Sequence, residues 1–281
     1  MKVVTNPEEM RFLSRGERTR RGRLGLVPTM GALHDGHLSM VRTARSRSDV
    51  IAVSIFVNPT QFGPTEDFAK YPRNLESDCA LLEREGVELV FAPPVDEMYP
   101  HGAVTWVVVE GMSDRLCGRS RPGHFRGVTT VVSKLFHIVE PDLAFFGQKD
   151  AAQVAIIKRM VRDLNLPVSI EVCPIVREPD GLALSSRNSY LTQDERKSAL
   201  VLYRSLMRVQ EEFAKGERDA AKLVESGKKE LAQDPAVLQD YLEIVDPDSL
   251  EPEVTITKPV LVAVAAVLGK TRLIDNITLH P

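Results

Sequence analysis

Cysteine is scarce in this chain of 281 residues: Cys79, Cys117 and Cys173 are the whole supply, odd in number and far apart. That pattern excludes a disulfide framework and the paired ligands of a zinc finger, and it fits reduced thiols in a cytoplasmic protein. Long apolar runs are missing as well. The stretch "PVLVAVAAVLG" near the C-terminus has about half the length that a membrane span requires. The opening "MKVVTNPEEMRFLSRGERTRRG" holds no apolar signal core, so neither secretion nor a membrane partner is expected. No charge of one sign dominates. With 36 basic and 39 acidic residues the formal charge is −3, which speaks against an extended nucleic-acid surface and leaves room only for a local basic pocket. No repeat or low-complexity tract stands out.

What is present is an ordinary globular composition, 43% hydrophobic and 27% charged, in a chain long enough for one large or two modest domains. The first half alternates β-branched runs with helical patterns. "RLGLVPTM" reads as a buried strand, residues 36–48 as a helix with Leu38, Val41 and Ala44 at helical spacing, and "VIAVSIFVNP" as a second strand. "LESDCALLEREG" (helix) and "VELVFAP" (strand) follow. "TTVVSKLFHIVEP" (helix), "LAFFG" (strand), "AQVAIIKRMVRDLN" (helix) and "VSIEVCPIV" (strand) continue the alternation, which predicts an α/β fold with a doubly wound parallel sheet. After about residue 176 the character changes. "REPDGLALSSRNSYLT" is loop-like, helical patterns cover 192–214 and 219–233, and "LQDYLEIVD", "PVLVAVAAVLG" and "TRLIDNITL" read as strands of a smaller α+β domain.

Two histidines three apart, His34 and His37 in "TMGALHDGH", stand at a strand-to-helix junction beside Gly31 and Gly36. Glycines allow close backbone approach there, and the free amides of a helix N-terminus favour an anion. Phosphate handling is one reading; a structural pair is another, and a metal pair would need a third ligand that the neighbouring sequence lacks. "FGQKDAAQV" also follows a strand and opens a helix: Lys149 can hold a phosphate as a point charge, Asp150 can serve ribose hydroxyls or a magnesium ion, and Gln153 can point to the same cleft. Read alone, it is an exposed charged helix cap. "LALSSRNSYL" offers Ser185, Ser186 and Arg187 to a polyphosphate, or is a solvated linker. "NPTQFG" sets the uncharged Gln61 at the same rim, and "CGRSRPGHFRGV" adds Arg121 and His124 as potential anion contacts or plain loop residues. Four of these stretches follow predicted strands and therefore converge on one edge of the sheet.

In this order "PTMGALHDGH", "SIFVNPTQFG", "YPR", "FGQKD" with Gln153, and "LSSRNSYL" closely resemble the pantothenate synthetase (pantoate–β-alanine ligase) family over residues 3–279. That family belongs to the nucleotidyltransferases that share a His-x-Gly-His motif with class I aminoacyl-tRNA synthetases. The resemblance implies a Rossmann-like domain over 1–176 for ATP and pantoate, a smaller domain over 177–281 closing on the ATP site, and a homodimer. It places Met30, Gly31, Ala32, Leu33, His34, Asp35, Gly36 and His37 along ATP, with His34 and His37 on the phosphates and His37 as proton donor. Gly147, Gln148, Lys149 and Asp150 would bind the nucleotide, with Lys149 on phosphate and Asp150 near the ribose. Val176, Leu184, Ser185, Ser186 and Arg187 would complete the ATP site, and Gln61 and Gln153 would hold pantoate, Gln61 also serving β-alanine. His37, His34, Lys149 and Arg187 form the implied catalytic set, and Mg2+ the implied companion of ATP. Gln148 stands where many relatives have Glu and Leu184 where Met is common. A helix often rich in consecutive acids reads "LESDCA", with only Glu76 and Asp78, so no magnesium ligand is assigned. Arg121, His124 and Tyr71 receive no role.

The chemistry that this implies suits the residues. A carboxylate does not accept an amine until its oxygen becomes a leaving group, and adenylation by ATP makes it one. Neither adenylation nor amine attack needs an enzyme nucleophile, which agrees with the absence of a Ser-His-Asp or Cys-His set. Another nucleotidyltransferase and a non-catalytic nucleotide-binding regulator are the alternatives. A tRNA partner would demand a basic face, and a regulator would have no use for a second, uncharged pocket at Gln61 and Gln153.

Overall fold

A computed structural model describes residues 1–64 and 66–281. Six runs form parallel strands: β1 (Lys2–Val4), β2 (Leu24–Thr29), β3 (Val50–Ile55), β4 (Leu89–Phe91), β5 (Leu143–Gly147) and β6 (Ser169–Cys173). They lie in the order β1-β4-β3-β2-β5-β6. The central strands read as continuous apolar runs because both faces are covered. Leu24, Leu26, Val50 and Ala52 pack to one side, with Met10 and residues 125–157; Val27, Ile51 and Val53 pack to the other, with Val41, Ala44 and Leu82. The helices that supply those partners are α1 (Pro7–Arg21), α2 (Asp35–Arg47), α3 (Leu75–Arg84), α6 (His124–Val139) and α7 (Ala151–Asp163), with the short α4 (Val95–Met98) and α5 (Cys117–Ser120) between them. The expected doubly wound sheet is present.

Helix α1 and strand β1 were not expected, nor were the short α4 and α5, the latter lying where a loop was read. Helix α1 buries only Met10 and Ser14, so its apolar stripe is too thin to register as a periodicity. Its ends are nonetheless well marked: the Asn6 side chain accepts from the amides of Glu8 and Glu9, Pro7 opens the first turn, and Arg18, Arg20 and Arg21 close the last. Strand β1, three residues long, pairs with β4 at the edge.

Beyond β6, the expected helix over 192–214 divides into α8 (Gln193–Ser198) and α9 (Leu200–Ala214), followed by α10 (Ala220–Leu231). Then β7 (Val237–Val245), β8 (Val260–Leu268) and β9 (Thr271–Leu279) form an antiparallel sheet in that order. Strand β8 is buried on both faces. Val260, Val262, Val264 and Ala266 meet Leu202, Leu206 and Leu223 of α9 and α10, whereas Leu261, Ala263 and Ala265 join the core under the parallel sheet. Among the described residues no helix is long and apolar enough to cross a membrane.

Candidate active site

From β2 the chain builds outward to β3 and β4, then returns to place β5 on the other side of β2. The strand order reverses there, and a crevice opens outside the carboxyl ends of β2 and β5, where doubly wound sheets bind ligands. It is a cleft of about 220 Å³. Met30, His34, Gly36 and His37 enter it from the β2 side, and Gly147, Lys149, Asp150 and Gln153 from the β5 side. Val176, Leu184, Ser185, Ser186 and Arg187 come from the segment after β6, and Gln61 from the segment after β3. Tyr71, Arg121 and His124 line it too. Gly31, Ala32, Leu33, Asp35 and Gln148 do not reach its wall.

The loop after β2 explains that division. Gly31 and Ala32 both take positive φ, +81° and +50°, a conformation that costs an alanine about 1 kcal/mol. Asp78 on α3 compensates: its carboxylate, 3% exposed, accepts from the amides of Ala32 at 3.0 Å and Leu33 at 2.9 Å. Those amides are thereby occupied and turned from the cleft. Burial raises the Asp78 pKa, against the lowering effect of the two amides. A Cβ on Gly31 would lie 2.8 Å from that carboxylate, so glycine is required. The loop then delivers His34 as N-cap of α2. The Gly36 amide donates to His34 Nδ1 at 3.1 Å, and the His34 amide donates to His37 Nδ1 at 3.4 Å. With Nδ1 accepting in each ring, Nε2 carries the hydrogen of the neutral imidazole. Burial, the neighbouring His34 and Lys149 push the His37 pKa down to about 3; burial and Lys149 lower that of His34. Both rings therefore present neutral N–H donors.

Opposite them, the turn at 148–150 is bracketed by Asn276 of β9, and Arg187 is paired with Asp67 at 3.1 Å. Tyr71 and Ser186 share a hydroxyl contact at 3.4 Å. Asn58, 1% exposed, organises the Gln61 side: its Nδ2 donates to Gln61 Oε1 and to the Gly127 carbonyl, each at 3.1 Å. Its Oδ1 accepts from Thr60 Oγ1 and the Tyr99 hydroxyl, both at 2.9 Å. Arg121 forks onto Glu66 and donates to His124 Nε2 at 3.1 Å. That leaves His124 Nδ1–H to donate to the Gln61 carbonyl at 2.9 Å. Burial and the Arg121 charge lower the His124 pKa to about 4. Arg121 and His124 thus hold the backbone that carries Gln61. Sequence reading missed Asn58 and Asp78 as functional residues. Asn58 ends a strand before proline and Asp78 is one of two acids in "LESDCA", too few to assign a magnesium ligand; each is held by partners distant in sequence.

An open parallel sheet with imidazole and lysine side chains at the helix starts flanking its switch point defines a nucleotide-binding enzyme of the Rossmann-like class. The model of the pantoate-beta-alanine ligase family matches residues 2–278, and the chain belongs to that family. It is 60% identical over 280 residues to a pantothenate synthetase of Koribacter versatilis, covering 100% of this chain and 96% of that one. A pantothenate synthetase of Thermotoga neapolitana is 57% identical over 276 residues, covering 98% and 99%. The pantothenate synthetase structure from Thermus thermophilus superposes with a TM-score of 0.95 at 46% identity, covering 100% of both chains. The Francisella tularensis pantoate-beta-alanine ligase, solved with beta-gamma ATP and beta-alanine, gives 0.79 at 33% identity, covering 99% and 97%. The chain is accordingly a carbon–nitrogen ligase that joins pantoate to β-alanine, and the alternatives of another nucleotidyltransferase or a regulator give way to that.

Proposed function

We propose that MgATP and pantoate meet in this cleft and react in two steps carried by the residues identified above. A pantoate carboxylate oxygen attacks the α-phosphorus, the bond from that phosphorus to the bridging oxygen breaks, and pyrophosphate departs. The β-alanine amine then attacks the acyl carbon of the pantoyl adenylate, the C–O bond to AMP breaks, and the nitrogen sheds its proton. His34 and His37 donate from Nε2 to phosphate oxygens, and Lys149 supplies the positive charge that those neutral rings do not. This modifies the expected proton-donor role of His37: it donates a hydrogen bond and keeps the proton. Arg187 leaves Asp67 for the pyrophosphate end, Asp150 takes the ribose, and Ser185 and Ser186 complete the ATP contacts. Gln61 and Gln153 hold pantoate, whose branched alkyl part suits the apolar wall of Phe56, Val131 and Val132. Positioning and fixed donors supply the catalysis.

Asp150 is the one carboxylate on the cleft wall among the described residues, and these show no cluster of three or more His, Cys, Asp or Glu side chains suited to a metal. Such a wall suits Mg2+ that arrives on the phosphates and would be held by them. Three free cysteines support a cytoplasmic setting. Val104, Trp106 and Val108, exposed apolar residues of one segment between the helices, support a homodimer. A division into domains at 176/177 is supported by the end of β6 at Cys173 and the separate second sheet.

The observation that carries the residue assignment is the convergence of His34, His37 and Lys149 beside the uncharged Gln61 and Gln153. Pantoate-dependent exchange of labelled pyrophosphate into ATP, without β-alanine, tests it. Replacing His37 or Lys149 by alanine is expected to cost about 3 kcal/mol of transition-state stabilisation, a roughly hundredfold drop in exchange. Exchange near the parent rate in a folded Lys149→Ala variant would sink the assignment.

A further inference from the structure

Asp275 and Asn276 sit side by side on β9, 4% and 3% exposed, in the last strand of the chain. Asn276 Nδ2 donates to the carbonyl oxygens of Gln148 and Lys149, each at 3.0 Å, and its Oδ1 accepts from Gln148 Nε2 at 3.1 Å. One amide thus brackets two consecutive peptide units of the turn that carries Lys149. Asp275 accepts from both terminal nitrogens of Arg177, at 2.6 and 2.9 Å. Arg177 in turn donates to the Gly181 carbonyl at 3.0 Å, and its backbone bridges to Ala183, just before Leu184 and Ser185 of the cleft. The strand beneath is fixed, since Asp275 and Asn276 pair in register with Val264 and Ala263 of the doubly buried β8. The sequence reading put both residues in a strand and gave neither a role.

We infer that Asn276 is a positioning residue for adenylation: it sets, through the backbone at 148–149, where Lys149 meets the triphosphate. Asp275 ties the same strand to the loop of Ser185 and Arg187. The inference rests on the reading that Lys149 binds phosphate. The geometry selects an amide. Two carbonyls need two N–H donors, and Gln148 needs an acceptor; aspartate has the shape of asparagine but would set its oxygens against those carbonyls. A buried asparagine that merely held two layers together would act on stability whatever Lys149 did. A positioning residue acts through Lys149.

The test is a cycle of Asn276→Asp, Lys149→Ala and the double variant, read by pyrophosphate exchange, with kcat and KM resolved for ATP and pantoate and the folded fraction fixed by urea titration. Asn276→Asp is expected to lower kcat for exchange about 10- to 100-fold, the usual effect of removing a partner that orients a functional group, with KM for pantoate within about twofold of the parent. In the Lys149→Ala background the same change should cost less than about threefold, because the group it positions is gone. If Asn276→Asp does not fold, Asn276→Ser carries the same comparison, with a smaller loss that again disappears beside Lys149→Ala. Full exchange in Asn276→Asp while Lys149→Ala is impaired overturns the inference alone, and so does a loss that multiplies in the double variant. Full exchange in Lys149→Ala removes the phosphate reading of Lys149, and the inference with it.

Discussion

Nδ1 of His37 faces the His34 amide at 3.4 Å, and burial together with His34 and Lys149 brings its pKa to about 3. A nearby triphosphate raises that value, but from a starting point far below neutrality. The pH profile of kcat/KM for exchange is therefore expected to show no histidine limb near 6.5; such a limb, lost in His37→Asn, would mean that the imidazolium is the working form. The same shift acts on stability. A histidine whose folded pKa lies below its unfolded value binds its proton preferentially in the unfolded chain. Its contribution is complete above about pH 6.5 and declines as pH falls toward the folded pKa, by up to about 1.4 kcal/mol per pH unit for each group. His37 and His124, lowered to about 3 and about 4, both act in this sense. Asp78 and Asp275, whose pKa values burial raises, act in the opposite sense and more so at lower pH. Urea midpoints of the ligand-free chain should fall between pH 7 and 5, and His124→Gln should flatten that slope by about one group's share. Asp78 invites a separate measurement. In Asp78→Asn one carboxylate oxygen becomes an NH2 that faces an amide donor, and the loop before His34 loses one of its two acceptors. The expected cost is about 1–3 kcal/mol of stability with a larger loss of exchange; a variant unchanged in both would show that the loop holds itself. None of this was legible in the linear order of residues. Sequence offers the histidines and their glycines, but the hydrogen bonds that fix each tautomer and the carboxylate 46 residues away appear only in the fold.

At the scale of elements, helix α6 lies against the turn at Pro59–Gln61 with almost no clearance. A Cβ on Gly127 would stand 2.5 Å from the Thr60 carbonyl carbon and 2.7 Å from the Gln61 amide nitrogen, and backbone cannot step aside as a flexible side chain can. Gly127→Ala is expected to displace Gln61, raising KM for pantoate and lowering the urea midpoint. Gly16, in the middle of α1, has nothing within 4 Å of the same atom. There alanine should stabilise by about 0.5–1 kcal/mol without touching kinetics, since helix propensity alone changes. Opposite signs from one substitution at two helical glycines would separate packing from propensity; equal signs would refute the close approach. The elements were legible in proportion to their burial. Strands β2, β3, β5 and β8 announce themselves as apolar runs because both their faces are covered. Helix α1 does not, because two buried residues make no pattern and its caps lie in a charged stretch. The convergence of the four loops on one edge was legible too, since parallel strands must send their following turns the same way.

At the scale of the whole molecule, the second unit keeps an apolar cluster of its own around Leu202, Leu223 and Val262, but the other face of its sheet shares a core with the first unit across residue 176. Tyr241, Val245, Leu261, Ala263 and Ala265 of the second sheet share one continuous cluster with Phe125, Ile156 and Leu116. Chain order separates these groups by about a hundred residues, which is why the periodicity of either half alone could not show that they meet. The polar ties run the same way, from Asn276 and Asp275 to the turns at 148–149 and 177–181. Removing the second sheet would therefore uncover apolar surface under the first and release the turn that carries Lys149. Chains of this length often unfold in stages when their domains have separate cores; the cluster shared across residue 176 argues for one stage. Trp106, the chain's one tryptophan, reports on the first unit, and the circular dichroism of the whole chain reports on both. In urea the two signals are expected to change together, at one midpoint, independent of whether ATP is present to raise it. A fluorescence transition separated from the dichroism transition would mean that the two sheets come apart before either unfolds. In that case the cleft would be assembled only when substrate draws the halves together, and the loss in Asn276→Asp should shrink as ATP is raised.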